Sequence, residues 1–194
     1  MISAGRTRRA SYCLELDVAS DHAAAPDPAR FRAAMAMLPT GVTDASAASG
    51  ADGPAGATAN AVCSLSIEPM LMLACLDRGS RTLLAVQAAD RFGVSVLHAG
   101  QEAIARAFAT KAPGRRRSGT ASRWSERDGI PAIDDALAFV ACDLRDVIAG
   151  GDHVIVTGAV TDLETSEGDP LVFHGRRVPA SWLRASSART GLDR

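Results

Sequence analysis

Gly56-Ala57-Thr58-Ala59-Asn60-Ala61-Val62-Cys63-Ser64-Leu65-Ser66 is followed, after Ile67, by Glu68-Pro69-Met70-Leu71-Met72-Leu73-Ala74-Cys75-Leu76-Asp77-Arg78-Gly79-Ser80-Arg81-Thr82. The first run is a strand of small residues interleaved with hydroxyls and an amide, a surface that can lie flat against a planar polar ligand. The Pro turn then leads into an apolar strand. That strand ends at Ser80, an N-cap residue that predicts a helix start with Arg81 and Thr82 in its first turn. A helix start offers unpaired N–H groups and partial positive charge, so this order suits a ligand with a flat ring at one end and a phosphate at the other.

Working outward, Asp27-Pro28 reads as an N-cap with Pro at the first helical position. Phe31, Ala34, Met35 and Leu38 follow at helical spacing until Pro39. Residues 41–56 read as loop, with Ser49-Gly50-Ala51-Asp52-Gly53-Pro54 a hairpin tip. Strands are expected near 57–66 and 70–76, then a short helix from Ser80, a strand over 92–97 and a helix over 101–109. Residues 113–128 read as a polar, mobile stretch. Strands over 137–147, 153–163 and 171–173 complete the pattern.

Strands outnumber helices without β-α-β alternation, which disfavours a doubly wound parallel sheet. A mainly β (α+β) antiparallel barrel with a few peripheral helices fits better.

The chain has 194 residues, 47% of them apolar, and a formal net charge of −1. This is enough material for one core, over 27–180, between an N-terminal extension (1–26) and a C-terminal tail (181–194). Near-neutral charge argues against a nucleic-acid partner, and no run approaches the roughly 18 apolar residues of a membrane-spanning helix. Arg8-Arg9 is not followed by an apolar stretch, so a cytoplasmic protein is expected. The four cysteines form no C-x-x-C pair and the four histidines no H-E-x-x-H, so no metal is expected. Cys75 and Cys142 sit in apolar runs and read as core thiols. There is no G-x-G-x-x-G, no G-x-x-x-x-G-K-[ST] and no G-x-S-x-G, so a cofactor must be held in some other way.

Several separated motifs, in order, resemble the flavin reductase-like, FMN-binding split-barrel family. Phe31-Arg32-Ala33-Ala34-Met35 with Pro39-Thr40-Gly41-Val42-Thr43 is similar to its opening. The block 54–82 is similar to its T-A-N-S, S-x-S, D/E-P-P and R-x-S-x-T series. Arg91 to Leu97, Gln101 with 105–109, Gly151-Asp152-His153 with Gly158-Ala159-Val160, and Pro170 to Arg176 follow in register. The chain departs from the pattern at Asp44-Ala45-Ser46, at Ala61 where the family has serine, at Gly114 to Arg117, and at Arg177-Val178.

The resemblance implies a split barrel that binds FMN or FAD. Pro54, Ala55, Gly56, Ala57, Thr58, Asn60 and Ala61 would line the isoalloxazine, and Cys75, Leu76 and Asp77 the ribityl chain. Ser80, Arg81 and Thr82 would hold the phosphate, with Phe108 and Arg116 nearby. It further implies His153 as the catalytic residue on the nicotinamide side, with Phe173, His174, Gly175 and Arg176 along NADH or NADPH. The activity so implied is reduction of free flavin for a separate monooxygenase, as in natural-product biosynthesis, by a homodimer whose Val154, Val156 and Val160 supply buried area. The alternatives are a flavin-binding module without reductase activity and a pyridoxamine-phosphate-oxidase-like enzyme.

Overall fold

The computed structural model describes residues 27–48, 55–109 and 124–176. Seven antiparallel strands form the main sheet: β2 (Thr43–Ala47), β3 (Ala55–Ala59), β4 (Val62–Ile67), β5 (Met70–Asp77), β6 (Arg91–Val96), β9 (Ala138–Gly150) and β10 (His153–Thr165). Their order is β3-β2-β6-β9-β10-β5-β4. The two edge strands, β3 and β4, are consecutive in the chain. Only Asn60 and Ala61 separate them, and the Cys75 N–H donates to the Ala61 carbonyl at 2.9 Å. One bent run of chain therefore pairs with β2 in its first half and β5 in its second, curling the sheet into a barrel split at Asn60-Ala61. The single strand expected over 57–66 is this run, broken where it changes partner.

The barrel interior is filled by alternate residues of each strand. Ala45, Ala47 and Ala55 leave room for Leu83 and Val86 of α2 (Arg81–Ala89), while Phe92, Val94, Val154, Val156 and Leu76 fill the rest. A β-carbon on Gly158 would stand 2.6 Å from the Phe92 ring and from the Cys142 Cβ, so only glycine fits there. The opposite face of β2 and β6 is covered by α3 (Glu102–Phe108) and a hairpin of β7 (Trp124–Arg127) and β8 (Ile130–Ile133). Ser46 donates to the Pro131 carbonyl and Ser95 accepts from the Ile133 N–H, so buried hydroxyls join these layers. Arg91 clasps the hairpin turn through Asp128 and reaches Asp143 at 3.0 Å. Two short strands, β1 (Thr40–Gly41) and β11 (Val172–Phe173), pair beside the barrel.

Three expectations need correction. Residues 43–47 are a fully buried strand rather than loop, because pairing on both sides overrides the poor strand propensity of Asp44, Ala45 and Ser46. Small side chains are what that interior position admits. Residues 124–127 are strand β7, not part of a polar loop; 110–123 and the hairpin tip at 49–54 lie outside the described residues. Val154 and Val156 point into the barrel core and Val160 packs against it, so these three do not supply an intersubunit face. The expected first helix is present as α1 (Pro28–Met35), capped by Asp27, but Phe31, Met35 and Leu38 are exposed.

Candidate functional site

The split at Asn60-Ala61 collects one group of the expected site residues. Asn60 and Ala61 are exposed, and Cys75 behind them is half-buried. β5 then runs out at Asp77, whose Oδ1 accepts from the Gly79 N–H at 2.8 Å, a tight turn that aims the chain into α2. Ser80 caps this helix, its Oγ accepting from the Leu83 N–H at 3.1 Å. Arg81 is exposed and Thr82 buried in the first turn. The remaining first-turn N–H groups need an external acceptor, and the guanidinium supplies a forked donor beside them.

His153 joins this group from the other side. It begins β10 directly opposite Asp77, and the carbonyl of Asp152 accepts from the Arg78 N–H at 3.1 Å. The turn Gly150 to His153 is thus clipped to the connection between β5 and α2. His153 Nδ1 lies 2.8 Å from Asp152 Oδ1. That hydrogen bond, then the nearby imidazole charge, holds the Asp152 carboxyl below its usual range.

The other expected residues are placed less directly. Gly56 is buried under the Phe108 ring; a β-carbon there would be 2.9 Å from the ring and 3.0 Å from an Asp44 carboxylate oxygen. The Thr58 hydroxyl donates to the Ala105 carbonyl at 2.6 Å, so it is engaged with α3. Ala55 and Leu76 turn their side chains into the barrel core, and Ala57 is half-buried. Phe173 packs with Val42, Leu97 and Leu171 rather than standing clear as a stacking surface. His174 is half-buried, while Gly175 and Arg176 form an exposed turn with positive φ, held by the Gly175 N–H to the Ala36 carbonyl at 2.8 Å. Pro54 and Arg116 lie outside the described residues.

A cleft of about 380 Å³ opens beside Asn60; none of Cys75 to Thr82, His153 or Phe173 to Arg176 lines it. It is lined by Thr40 and Gly41, the ladder partners of Phe173 and Val172, with Thr43, Asn60, Cys63 and Ser64 and the apolar Val62, Met72, Val94 and Val96. Sequence reasoning did not name Cys63, Ser64 or Thr40 as lining residues. The signal was present in the Pro39-Thr40-Gly41 motif and in the hydroxyls of β4. The residue types fit a flavin: apolar side chains with an amide and hydroxyls for a polar ring in the cleft, and, outside it, a helix start with arginine for a phosphate.

Residues 35–181 match the family model described as flavin reductase like domain. The chain belongs to this family. It is 37% identical over 172 residues to flavin reductase (NADPH) of Lentzea aerocolonigenes, covering 87% of this chain and 96% of that one. With flavin reductase (NADH) of Kitasatospora aureofaciens it shares 38% over 166 residues, 82% and 84% of the two chains. The NADH:FAD oxidoreductase SgcE6 of Streptomyces globisporus C-1027 superposes with a TM-score of 0.73 at 33% identity, over 81% of this chain and 96% of that one. A Rhizobium meliloti protein named "Probable flavin reductase" is 38% identical over 72% of this chain, which spans only 44% of that relative's length. The split-barrel fold expected from the motifs is the fold of these reductases.

Proposed function

We infer that this protein is an NAD(P)H:flavin oxidoreductase that reduces FMN or FAD and releases it to a separate flavin-dependent monooxygenase. The observation that carries the reading is the meeting, at one split in the barrel, of an exposed amide strand, an arginine-bearing helix start and the His153 turn. Relatives include the reductase subunit HsaB of a flavin-dependent monooxygenase from Mycobacterium tuberculosis, 35% identical over 168 residues.

Asn60 and Ala61 would meet the ring edge, Cys75 to Asp77 would follow the ribityl chain through their backbone, and Ser80 to Thr82 would receive the phosphate. A flavin seated there supplies a two-electron acceptor for the nicotinamide hydride. The chain's own task is to hold the two rings in contact and keep water out. His153 would orient the nicotinamide.

A second copy of the chain would roof this site. Leu71, Leu73, Cys75 and Ile155 face outward from β5 and β10, and the neighbouring Ile148 on β9 is 49% exposed. The apolar row runs on from the site residues themselves, and a two-fold dimer would bury it twice.

Anaerobic oxidation of NADH and NADPH, with and without added FMN or FAD, tests the function. Oxidation that requires stoichiometric flavin supports the reading. Flavin binding with no NAD(P)H oxidation would leave a flavin-binding module instead.

A further inference from the structure

We propose that Asp152 is a positioning residue that fixes the orientation and tautomer of His153; this rests on the reading of His153 as the nicotinamide-facing group. An ionised carboxylate can only accept, so the 2.8 Å contact between Asp152 Oδ1 and His153 Nδ1 puts the ring proton on Nδ1. Nε2 is then the unprotonated nitrogen, an acceptor while the ring is neutral. The same residue is anchored by its backbone, since its carbonyl receives the Arg78 N–H at 3.1 Å. Asp152 therefore ties one ring nitrogen to a turn whose place relative to Ser80, Arg81 and Thr82 is already set. Gly151, at φ +74°, makes the tight reversal that brings carboxylate and ring together.

The geometry is not what a solubilising surface aspartate requires. The Asp152 side chain is 94% exposed, so it stabilises the fold little. What it changes is the ring of His153, whose side chain is 47% exposed and which begins β10 opposite Asp77 on β5. Without Asp152, the imidazole would turn about its side-chain bonds and place its proton on either nitrogen.

The test uses the full chain loaded with FMN and three variants: Asp152→Ala, His153→Ala and the double variant. Stopped-flow reduction by NADH gives the limiting rate, and nitrogen NMR of labelled histidine gives the tautomer. Asp152→Ala is expected to shift the His153 proton from Nδ1 towards Nε2. It should slow the limiting rate by roughly tenfold, the scale of a misplaced general acid–base or orienting group, with FMN affinity unchanged.

The double variant should be no slower than His153→Ala, because a residue acting through another adds nothing once that other is gone. Additive losses, or an unchanged tautomer and rate in Asp152→Ala while His153→Ala is slow, would overturn the positioning role alone. A wild-type rate in His153→Ala would overturn both this proposal and the reading on which it rests.

Discussion

His153 and Asp77 face each other across the β10–β5 ladder, so the start of one strand is registered against the end of another. Asp77 is also the residue that launches α2, through its side-chain bond to the Gly79 N–H at 2.8 Å. The spacing between the histidine and the helix start is consequently set by two backbone-registered elements rather than by loops. A hydride-transfer site needs such rigidity, because a misplacement of about 1 Å can cost on the order of 100-fold in rate.

Arg81→Ala should weaken FMN binding by about 1.5–3 kcal/mol, the range for a hydrogen bond to a charged group. Riboflavin, which has no phosphate, should lose far less. Fluorescence titration of both ligands checks this, and equal losses would place Arg81 away from the phosphate.

Ser80→Ala separates capping from ligand binding. Removing the Oγ that accepts from the Leu83 N–H should cost about 1 kcal/mol of stability without any flavin present. Urea denaturation of the flavin-free protein gives that number directly, and no loss would mean that α2 is capped in another way.

The local structure around the candidate phosphate and histidine positions was legible in the sequence because its motifs are local. Ser80 to Thr82 and Gly151 to His153 each span a few residues, and their turn and cap chemistry is written in the residue types. The long strands near 70–76, 137–147 and 153–163 were equally plain from their apolar pattern. What stayed hidden depends on distant partners. Thr43 to Ala47 looks like loop because Asp44, Ala45 and Ser46 are poor strand formers, yet β3 and β6 flank it on both sides. Gly158 is marked in the sequence only by the motif it shares with Ala159 and Val160; its physical necessity comes from Cys142 and from a phenylalanine 66 positions earlier in the chain. The inward direction of Val154 and Val156 follows from barrel closure, which periodicity cannot assign to one face or the other.

Gly158→Ala tests that closure. The added carbon would lie 2.6 Å from both Phe92 and Cys142, and neither can retreat in the barrel centre. A loss of about 1–3 kcal/mol is expected from overpacking. Pairing it with Phe92→Leu should recover part of the loss, measured by thermal or urea unfolding.

Cys142 gives a pH prediction. Burial, with a smaller effect of the Asp143 charge, pushes its thiol up to about 12. Above the ordinary thiol range the unfolded chain gives up this proton while the folded chain keeps it. Stability therefore falls as pH rises from about 9 towards 12, and is unaffected by this group below that window. Cys142→Ala should flatten the alkaline slope of urea-unfolding stability. Native alkylation followed by peptide mapping should label exposed Cys63 and spare Cys142.

The last prediction concerns assembly, where the side chains facing out of β5, β9 and β10 decide between two outcomes. Ile148, 49% exposed, stands opposite Ile155 in the hairpin, and Ile155 stands opposite Cys75, so an apolar row leads from the barrel wall to the split. Exposed to water on a lone subunit, such a row is unfavourable by roughly 25 cal/mol for each Å². A second copy covering it would also exclude water from the neighbouring ligand, coupling assembly to turnover. Light scattering at micromolar concentration should therefore report a dimer. Ile148→Asp should shift it towards monomer, leave the circular dichroism of the barrel unchanged, and depress NADH oxidation in proportion to the monomer fraction. A wild-type monomer, or an Ile148→Asp protein that is still dimeric, would move the interface elsewhere; a monomeric variant with full turnover would show that one barrel is enough to bring the two rings together.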